Sequence, residues 1–254
     1  MRNEPFFQLE FQHAAGLDTG NVRNTNQDAV VCCPENGFFA VIDGMGGLTG
    51  GGQTADMLKD ILPVLATRLT ETLPGECPPE LAGEALAKAI AGVSDSIFER
   101  TNEFGSVSHG AALCAVWLVE RCAVFVHLGD SRGYWLGRDA AAAIRLTEDH
   151  NVAAEMVAAG MLKPEEARGH VYSARLTRFV GMRAPSAPRI TYKRLNKGDR
   201  LLLCSDGLYG ELEDAELTAG MRGDLPLQEN CNGMIKLAKQ HGGRDNISLI
   251  CISI

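Results

Sequence analysis

The sequence has little of several features that would point to particular protein classes. Aromatic residues make up 6% of its 254 residues, and 24 basic residues are outnumbered by 32 acidic ones, which gives a formal net charge of −8. A chain this acidic is a poor general ligand for nucleic acid or for an anionic membrane, because both attract positive charge. We therefore expect neither of them among its partners.

Long apolar runs and paired metal-binding cysteines are missing as well. No stretch approaches the roughly 20 apolar residues that a transmembrane helix needs. The N-terminus lacks the apolar core of a secretory signal peptide. The eight cysteines include no Cys-x-x-Cys pair, so a zinc site is not expected, and most lie in apolar runs as small core residues. A reduced cytoplasmic location is the simplest expectation.

Five aspartates, each in a short segment marked by glycine or asparagine, are the most informative feature that is present. They are Asp28, Asp43, Asp130, Asp206 and Asp245, and four of them adjoin an apolar run typical of a β-strand. Carboxylates at strand ends are rigidly placed, and several that converge would repel one another unless a cation neutralised them. Mg²⁺ and Mn²⁺ prefer oxygen ligands, so the set predicts a divalent metal site.

Each aspartate alone is also compatible with an ordinary turn, because Asp-Gly and Gly-Asp pairs are common turn sequences. The ordered set is more specific, and Arg23 stands five residues before its first member. A guanidinium binds phosphate oxygens through two parallel hydrogen bonds, which a lysine could not reproduce. The glycine-rich segment 46–52 matches neither common nucleotide-binding pattern, so a nucleotide cradle is not expected.

As an ordered set, these motifs resemble the metal-dependent protein phosphatases of the PPM (type 2C) family, and Asp43-Gly-Met-Gly-Gly47 is the form typical of bacterial members. The resemblance covers nearly the whole chain. It implies one phosphatase domain over residues 1–254, built as a four-layer αββα sandwich with two central antiparallel sheets flanked by helices. The motifs are Arg23-Asn-Thr-Asn-Gln-Asp28, Asp43-Gly-Met-Gly-Gly47, Gly129-Asp-Ser-Arg132, Ser205-Asp-Gly207 and Gly243-Arg-Asp-Asn246.

The resemblance also implies two bound Mn²⁺ or Mg²⁺ ions. Asp43 would bridge them, and the carbonyl of Gly44 would bind one, where glycine lets the backbone come close. Asp206 and Asp245 would bind the other ion. Asp28 would act mostly through metal-bound water.

Two further roles follow from the same resemblance. Asp130, together with Asp206, would hold a third, more weakly bound ion, and Arg23 would bind the substrate phosphate. Two positions depart from the family. Gln27 stands where many relatives have glutamate, and Met45 stands where eukaryotic relatives have a histidine that is proposed as general acid.

The activity that the resemblance implies is hydrolysis of phosphoserine and phosphothreonine in proteins. A hydroxide bridging the two metals would attack the phosphate directly, without a phosphoenzyme. The partners would be phosphorylated proteins and a eukaryotic-like Ser/Thr kinase whose action the enzyme reverses. Two alternatives stay open: a non-catalytic regulatory module with the same fold, and a metallohydrolase acting on a small phosphorylated metabolite.

Apolar periodicity predicts the elements of this fold. Short connections between the central strands predict antiparallel pairing, and Pro63 is expected to end or kink the first helix. Predicted strands are 29–33, 37–42, 111–119, 122–128, 133–136, 143–146, 189–193, 200–204 and 247–254; predicted helices are 53–62, 84–104 and 226–240.

The segment 147–182 lacks strand patterning and corresponds to a flap beside the active site in the family. Its sequence predicts a helix over 151–159 closed by Gly160, a short turn over 164–168, and a third helix capped by Ser173. Its basic residues are candidates for contact with a phosphopeptide, and Arg175 and Arg178 are the pair that we single out; solvated helix faces are the simpler alternative. The candidates are Lys163, Arg168, His170, Arg175 and Arg178.

Overall fold

The computed structural model describes residues 7–46, 50–102, 109–182 and 187–254. Within these ranges the chain forms two five-stranded antiparallel sheets, with strand orders β1-β10-β9-β6-β7 and β2-β3-β4-β5-β8. The strands are β1 (Gln12–Asp18), β2 (Asp28–Cys33), β3 (Phe38–Met45), β4 (Gly110–Val119), β5 (Cys122–Leu128), β6 (Arg132–Leu136), β7 (Ile144–Arg145), β8 (Arg189–Arg194), β9 (Arg200–Cys204) and β10 (Ile247–Ser253).

Helices cover the outer faces of both sheets, which confirms the αββα architecture. Alternate residues of each central strand point to opposite faces; Val41 and Phe125 therefore pack between the sheets, whereas Ile42 and Val124 face α1 and α2. Leu249 of the other sheet faces α5, α6 and α7. The helices are α1 (Gly50–Thr72), α2 (Pro79–Asn102), α3 (Val152–Ala158), α4 (Pro164–Ala167), α5 (Asp206–Tyr209), α6 (Asp214–Arg222) and α7 (Leu227–His241).

Most predicted elements are confirmed to within a few residues. The antiparallel pairing predicted for the short-linked central strands is confirmed for β4 with β5 and for β6 with β7, whereas β5 and β6 do not pair, because the chain passes from one sheet to the other between them. Strand β1 and helices α5 and α6 were not predicted. The glycine-rich segment 46–52 and the end of the predicted helix 84–104 lie partly outside the described residues. None of the helices in the described ranges has both the length and the hydropathy that a membrane crossing requires.

Of the two effects expected of Pro63, an end or a kink of the first helix, the end is wrong, because α1 continues to Thr72. A proline inside a helix costs about 3 kcal/mol. Leu58, Leu62 and Ala66 lie on the buried face of this helix, and each exposes at most 1% of its surface. Burial of this face on both sides of the proline offsets the cost.

The third flap helix, expected after Ser173, does not form either. The chain instead runs as an irregular strap, in which Leu176 bridges Asn151 and Val180 bridges Ala111. These bridges satisfy backbone groups that a helix would otherwise have paired. The other two flap predictions are confirmed by α3, which Asn151 caps through Ala154 N–H, and by the short α4.

Candidate active site

The five aspartates predicted from the sequence lie around one point in the fold. Asp43 is central to them: burial raises its pKa well above the ordinary range, and the negative charges of the other four raise it further. Asp28 and Asp43 face each other directly across the β2–β3 ladder. The cluster therefore draws its members from both sheets, because Asp206 follows β9 and Asp245 precedes β10.

Gly44 keeps the backbone beside Asp43 free of any side chain. A Cβ at this position would lie 2.3 Å from the carbonyl oxygen of Gly51 and 2.6 Å from that of Gln27. The N–H of Gly44 donates to the same Gln27 carbonyl at 3.1 Å. Only glycine fits here, and the tight approach fixes the segment that follows Asp43.

Asp28 is buried and is oriented from the opposite sheet. The hydroxyl of Ser248 donates to Asp28 Oδ2 at 2.7 Å. Burial raises the pKa of Asp28 to about 7, against the opposing effect of hydrogen bonds from Ser248 and Ser205; the charges of Asp206 and Asp245 raise it further. A carboxyl group in this position favours a proton or a cation as its partner.

Asp206 begins the short helix α5, immediately after Ser205. Ser205 is fixed to β10 by two bonds: its N–H donates to Ser248 O at 3.0 Å, and its hydroxyl accepts from Ser248 N–H at 3.1 Å. Burial raises the pKa of Asp206 to about 6, and repulsion by Asp245 adds to the effect, while a hydrogen bond with Asp43 opposes it. The Asp206 and Asp43 side chains are thus within hydrogen-bonding reach.

Arg23 reaches the cluster from the loop between β1 and β2. Its Nη2 donates to Asp245 Oδ2 at 2.8 Å, in an ion pair that is partly exposed on both sides. The hydrogen bond with Asp245 and its charge raise the pKa of Arg23, and the nearby charges of Asp206 and Asp43 raise it further. Its guanidinium therefore lies at the exposed edge of the carboxylate cluster.

Asp130 stands at the point where the chain leaves one sheet for the other, between β5 and β6. Gly129 allows the crossing, since its φ is +100° and a Cβ would lie 2.4 Å from that of Ala112. The phenol of Tyr209 donates to the carbonyl of Asp130 at 2.9 Å. Burial raises the pKa of the Asp130 carboxyl well above its ordinary range, and repulsion by Asp206 raises it further.

A second layer of contacts holds Tyr209 itself. The Arg132 guanidinium lies 3.6 Å from the centre of the Tyr209 ring. The same guanidinium donates to both carboxylate oxygens of Asp149, at 2.9 and 2.6 Å. This chain of contacts ties the start of the flap segment to the backbone of Asp130.

The chemistry of the site fits divalent ions, although its side chains are not arranged as a closed cage. Among the described residues, no three carboxylate, imidazole or thiol groups converge closely enough to hold an ion. Asp245 is turned toward Arg23, and unneutralised carboxylates repel one another. Burial raises the pKa values of Asp28, Asp43 and Asp206, and repulsion by neighbouring carboxylates raises them further. Oxygen-binding ions such as Mn²⁺ or Mg²⁺ would stabilise the ionised carboxylates.

The flap segment is fastened beside this site by one of its arginines. Arg168 forms an ion pair with Glu213 and donates to the carbonyls of Leu212, at 2.8 Å, and Tyr209, at 3.3 Å. Arg175 and Arg178 are exposed. Arg178 lies close enough to His150 for its charge to contribute to the lowered pKa of that imidazole.

Three supporting residues were missed in the sequence. Asn246 accepts from Gln27 N–H at 2.8 Å and donates to the carbonyls of Thr19 and Thr25, at 3.0 Å each. Ser248 and Tyr209 hold Asp28 and Asp130 as described above. Asn246 could have been found from its place directly after Asp245, whereas the other two give no signal in the sequence.

Comparison with known proteins identifies the family of the chain. The family model described as protein phosphatase 2C matches residues 20–240. The serine/threonine protein phosphatase PstP of Mycobacterium tuberculosis is 31% identical over 247 residues, which cover 97% of this chain and 45% of PstP. The chain belongs to the protein phosphatase 2C family.

Two solved structures are similar over nearly the whole chain. The serine/threonine phosphatase Stp1 of Staphylococcus aureus superposes with a TM-score of 0.86 at 25% identity, covering 98% of this chain and 96% of Stp1. The catalytic domain of PstP in complex with two manganese ions has a TM-score of 0.76 at 26% identity, covering 96% of this chain and 97% of that domain. Both confirm the fold, and the second shows two ions in a relative.

Proposed function

We propose that this chain is a metal-dependent phosphoserine/phosphothreonine protein phosphatase, formed as one domain over residues 1–254 with a flap at 147–182. The observation that carries the proposal is the arrangement of four aspartates, Asp28, Asp130, Asp206 and Asp245, around Asp43, with Arg23 at their edge. A site this rich in carboxylates repels a phosphate monoester unless cations are bound. Arg23 and divalent ions together make the site attractive to the phosphate.

The ligand set that we propose follows the resemblance and the positions of the side chains. Asp43 and the Gly44 carbonyl would hold one ion, and Asp43, Asp206 and Asp245 the other. Asp28 would act through water, and Asp130 with Asp206 would serve a third, weaker site. Bound ions of this kind supply a hydroxide nucleophile at neutral pH and neutralise charge on the phosphoryl oxygens.

The protein's own groups orient the substrate and the ligands. Arg23 would leave Asp245 and donate to two phosphate oxygens in parallel. Ser248 keeps Asp28 in place, and Gly44 keeps the backbone accessible beside Asp43. The side chain at Met45 cannot donate a proton, so the leaving oxygen receives none from a residue at this position.

The flap and the partners complete the proposal. Arg175 and Arg178 are exposed and would contact the phosphopeptide, whereas Arg168 is engaged with the body of the protein. A Ser/Thr kinase would supply the phosphorylated substrate. The eight free thiols agree with the expected reducing cytoplasm.

The test is hydrolysis of a phosphothreonine peptide by the purified protein with Mn²⁺, with a chelator, and in an Asp206→Asn variant. We expect turnover that needs Mn²⁺ and that the variant largely loses. Folded, Mn²⁺-binding protein without turnover of any peptide would contradict the proposal and favour a regulatory module. Turnover of small phosphorylated metabolites but of no phosphopeptide would favour the metabolite hydrolase instead.

A further inference from the structure

A groove of about 730 Å³ lies beside the active site, between the edge strand β1 and helix α7. One wall is a run of four consecutive residues of β1, and the other is a single face of α7, with residues spaced by three and four positions. The lining residues are Ala15, Gly16, Leu17, Asp18, Asn21, Asn232, Ile235, Lys236, Lys239 and Gln240. A strand edge facing a helix is the geometry in which several domains bind extended peptides by strand addition.

The open edge of β1 presents backbone groups to this side. Ser248 is the β10 partner of Leu17. Its N–H donates to the Ser205 hydroxyl and its carbonyl accepts from the Ser205 N–H, both on the other side of β10. The N–H and carbonyl of Leu17 therefore point away from β10, because backbone groups alternate along a strand. In the described part of the chain, neither group has a hydrogen-bond partner.

Ala15 has the same orientation, and a bond from helix α7 already occupies its carbonyl. Its carbonyl accepts a hydrogen bond from the side-chain amide of Gln228 at 2.9 Å. Between the two, Gly16 lets helix and strand come close, since a Cβ there would lie 2.5 Å from Cδ1 of Ile235. Helix α7 therefore packs closely against β1 at Gly16, while the outward backbone groups of Leu17 stay free to bind a ligand.

The groove carries positive charge in a chain whose net charge is −8. Lys239 is neutralised by Asp18, with Nζ at 2.8 and 3.0 Å from the two carboxylate oxygens. Lys236 lies one turn earlier on the same face, is exposed, and has no ion-pair partner within the described ranges. An acidic side chain of a ligand would complement the charge of Lys236.

The groove is continuous with the loop that carries the phosphate-binding arginine. Asn21 lines the groove, and its N–H donates to Gly243 O at 2.7 Å. It stands two residues before Arg23, whose partner Asp245 lies two residues after Gly243. A peptide whose phosphate meets Arg23 would therefore bring residues a few positions away to the end of β1, at about 3.3 Å per extended residue.

We infer that this groove binds an extended segment of the phosphoprotein substrate as an added strand on β1, with an acidic side chain of that segment against Lys236. The inference rests on the proposed phosphatase function and gives it a substrate class: phosphoproteins with acidic residues a few positions from the phosphorylated one. The segment would use the free N–H and carbonyl of Leu17 for its backbone and Lys236 for its charge.

The test compares three substrates in the Mn²⁺-loaded enzyme: a phosphothreonine peptide extended on both sides with acidic residues, the same peptide with lysines in their place, and a small aryl phosphate. The variants are Leu17→Pro and Lys236→Glu, with Lys88→Glu on the exposed face of α2 as a control of equal charge change. Proline at Leu17 removes an outward N–H and leaves the β10 ladder intact, as edge strands tolerate.

We expect Lys236→Glu to raise KM for the acidic peptide by about two- to fivefold, as for an exposed ion pair, and to lower it for the lysine peptide. Leu17→Pro should raise KM for both peptides by about two- to tenfold, as for one hydrogen bond. Turnover of the aryl phosphate should stay unchanged in all variants, and Lys88→Glu should behave as wild type. Binding of a fluorescent, unphosphorylated acidic peptide should weaken in parallel.

The two hypotheses fail in different ways. Normal peptide turnover with KM unchanged in both Leu17→Pro and Lys236→Glu would overturn the groove and leave the phosphatase standing. If no substrate is turned over, anisotropy of the fluorescent peptide still decides the groove: binding weakened by both variants supports it, and equal or absent binding overturns it. A loss caused equally by Lys88→Glu would mean a general charge effect and would overturn it too.

Discussion

Arg23 and Asp245 form an ion pair of 2.8 Å between Nη2 and Oδ2, which joins the residue proposed to bind phosphate to one proposed to bind metal. A guanidinium and a divalent ion would compete for the same carboxylate. Metal binding at Asp245 would therefore release Arg23 toward a phosphate. The pair links metal loading to the readiness of the phosphate site.

The first prediction concerns this competition. Arg23→Ala should bind Mn²⁺ somewhat more tightly, by up to about fivefold, because an exposed ion pair contributes up to about 1 kcal/mol. The same variant should have a clearly lower kcat/KM for phosphopeptides. Calorimetric Mn²⁺ titration and steady-state kinetics check the two effects. A weaker Mn²⁺ affinity in Arg23→Ala would contradict the competition, and Arg121→Ala, an exposed arginine elsewhere, provides the baseline.

The second prediction is a pH dependence of stability in the absence of metal. The folded pKa of Asp28, about 7, lies above its unfolded value, so the folded state holds protons that the unfolded chain has already released. The free energy of unfolding must then fall as pH rises from the unfolded pKa of about 4 to about 7. In chelator, Tm should decrease over this window, and saturating Mn²⁺ should stabilise more at about pH 8 than at about pH 5.

Asp28→Asn is the matched variant for this effect, because it keeps an acceptor for Ser248 and cannot ionise. Its Tm in chelator should depend less on pH and should exceed that of the wild type at about pH 8. Differential scanning calorimetry over the pH series provides the comparison. A wild-type Tm that rises with pH throughout the window would show that the cluster is not short of positive charge.

The sequence was sufficient to predict those elements of the fold in which one physical signal dominates. Short, nearly continuous apolar runs such as 111–119 and 122–128 gave the central strands, since strands buried on both faces need them. Strand β1 was missed because Gly16 and Asp18 interrupt its pattern, and Gly16 is required by the approach of Ile235. The helix expected after Ser173 was lost to long-range bridges that local propensity cannot register.

The residues of the site divide in the same way, into those that a local pattern reveals and those that act through long-range contacts. Its aspartates were visible because each lies in a short segment marked by glycine or asparagine, and four of them adjoin an apolar run. Ser248 was hidden, since it lies inside β10 as one polar residue among apolar ones and acts across the sheets on Asp28. Contacts of this kind depend on how the two sheets pack together and join residues 220 positions apart, which no local pattern encodes.

The third prediction separates two roles among the flap arginines. Replacing Arg175 and Arg178 together with alanine should raise KM for a phosphopeptide and leave a small aryl phosphate unaffected, because both side chains are exposed on the flap segment and a small substrate would not reach them. Steady-state kinetics with the two substrates tests this. Equal effects on both substrates would remove the assignment.

Arg168→Ala should behave differently from that pair. Its contacts with Glu213, Leu212 and Tyr209 fasten the flap to the segment that holds Asp130. We expect lower kcat for both substrates and faster proteolysis within 160–175, with Tm little changed because the contacts are largely exposed. Normal proteolysis and kcat in Arg168→Ala would show that the flap is held by other contacts.

The last prediction concerns Asn246, whose side chain makes three hydrogen bonds to the loop between β1 and β2. One is accepted from Gln27 N–H and two are donated to the carbonyls of Thr19 and Thr25. At about 1 kcal/mol for each bond, Asn246→Ala should lower the free energy of unfolding by about 2–3 kcal/mol. Because this loop carries Arg23, kcat/KM should fall more than the stability loss explains, while Mn²⁺ affinity changes little.

Urea denaturation, Mn²⁺ titration and kinetics measure the three quantities, with the exposed Asn24→Ala as control. Unchanged kinetics in a destabilised Asn246→Ala protein would mean that the loop keeps Arg23 in position without this residue.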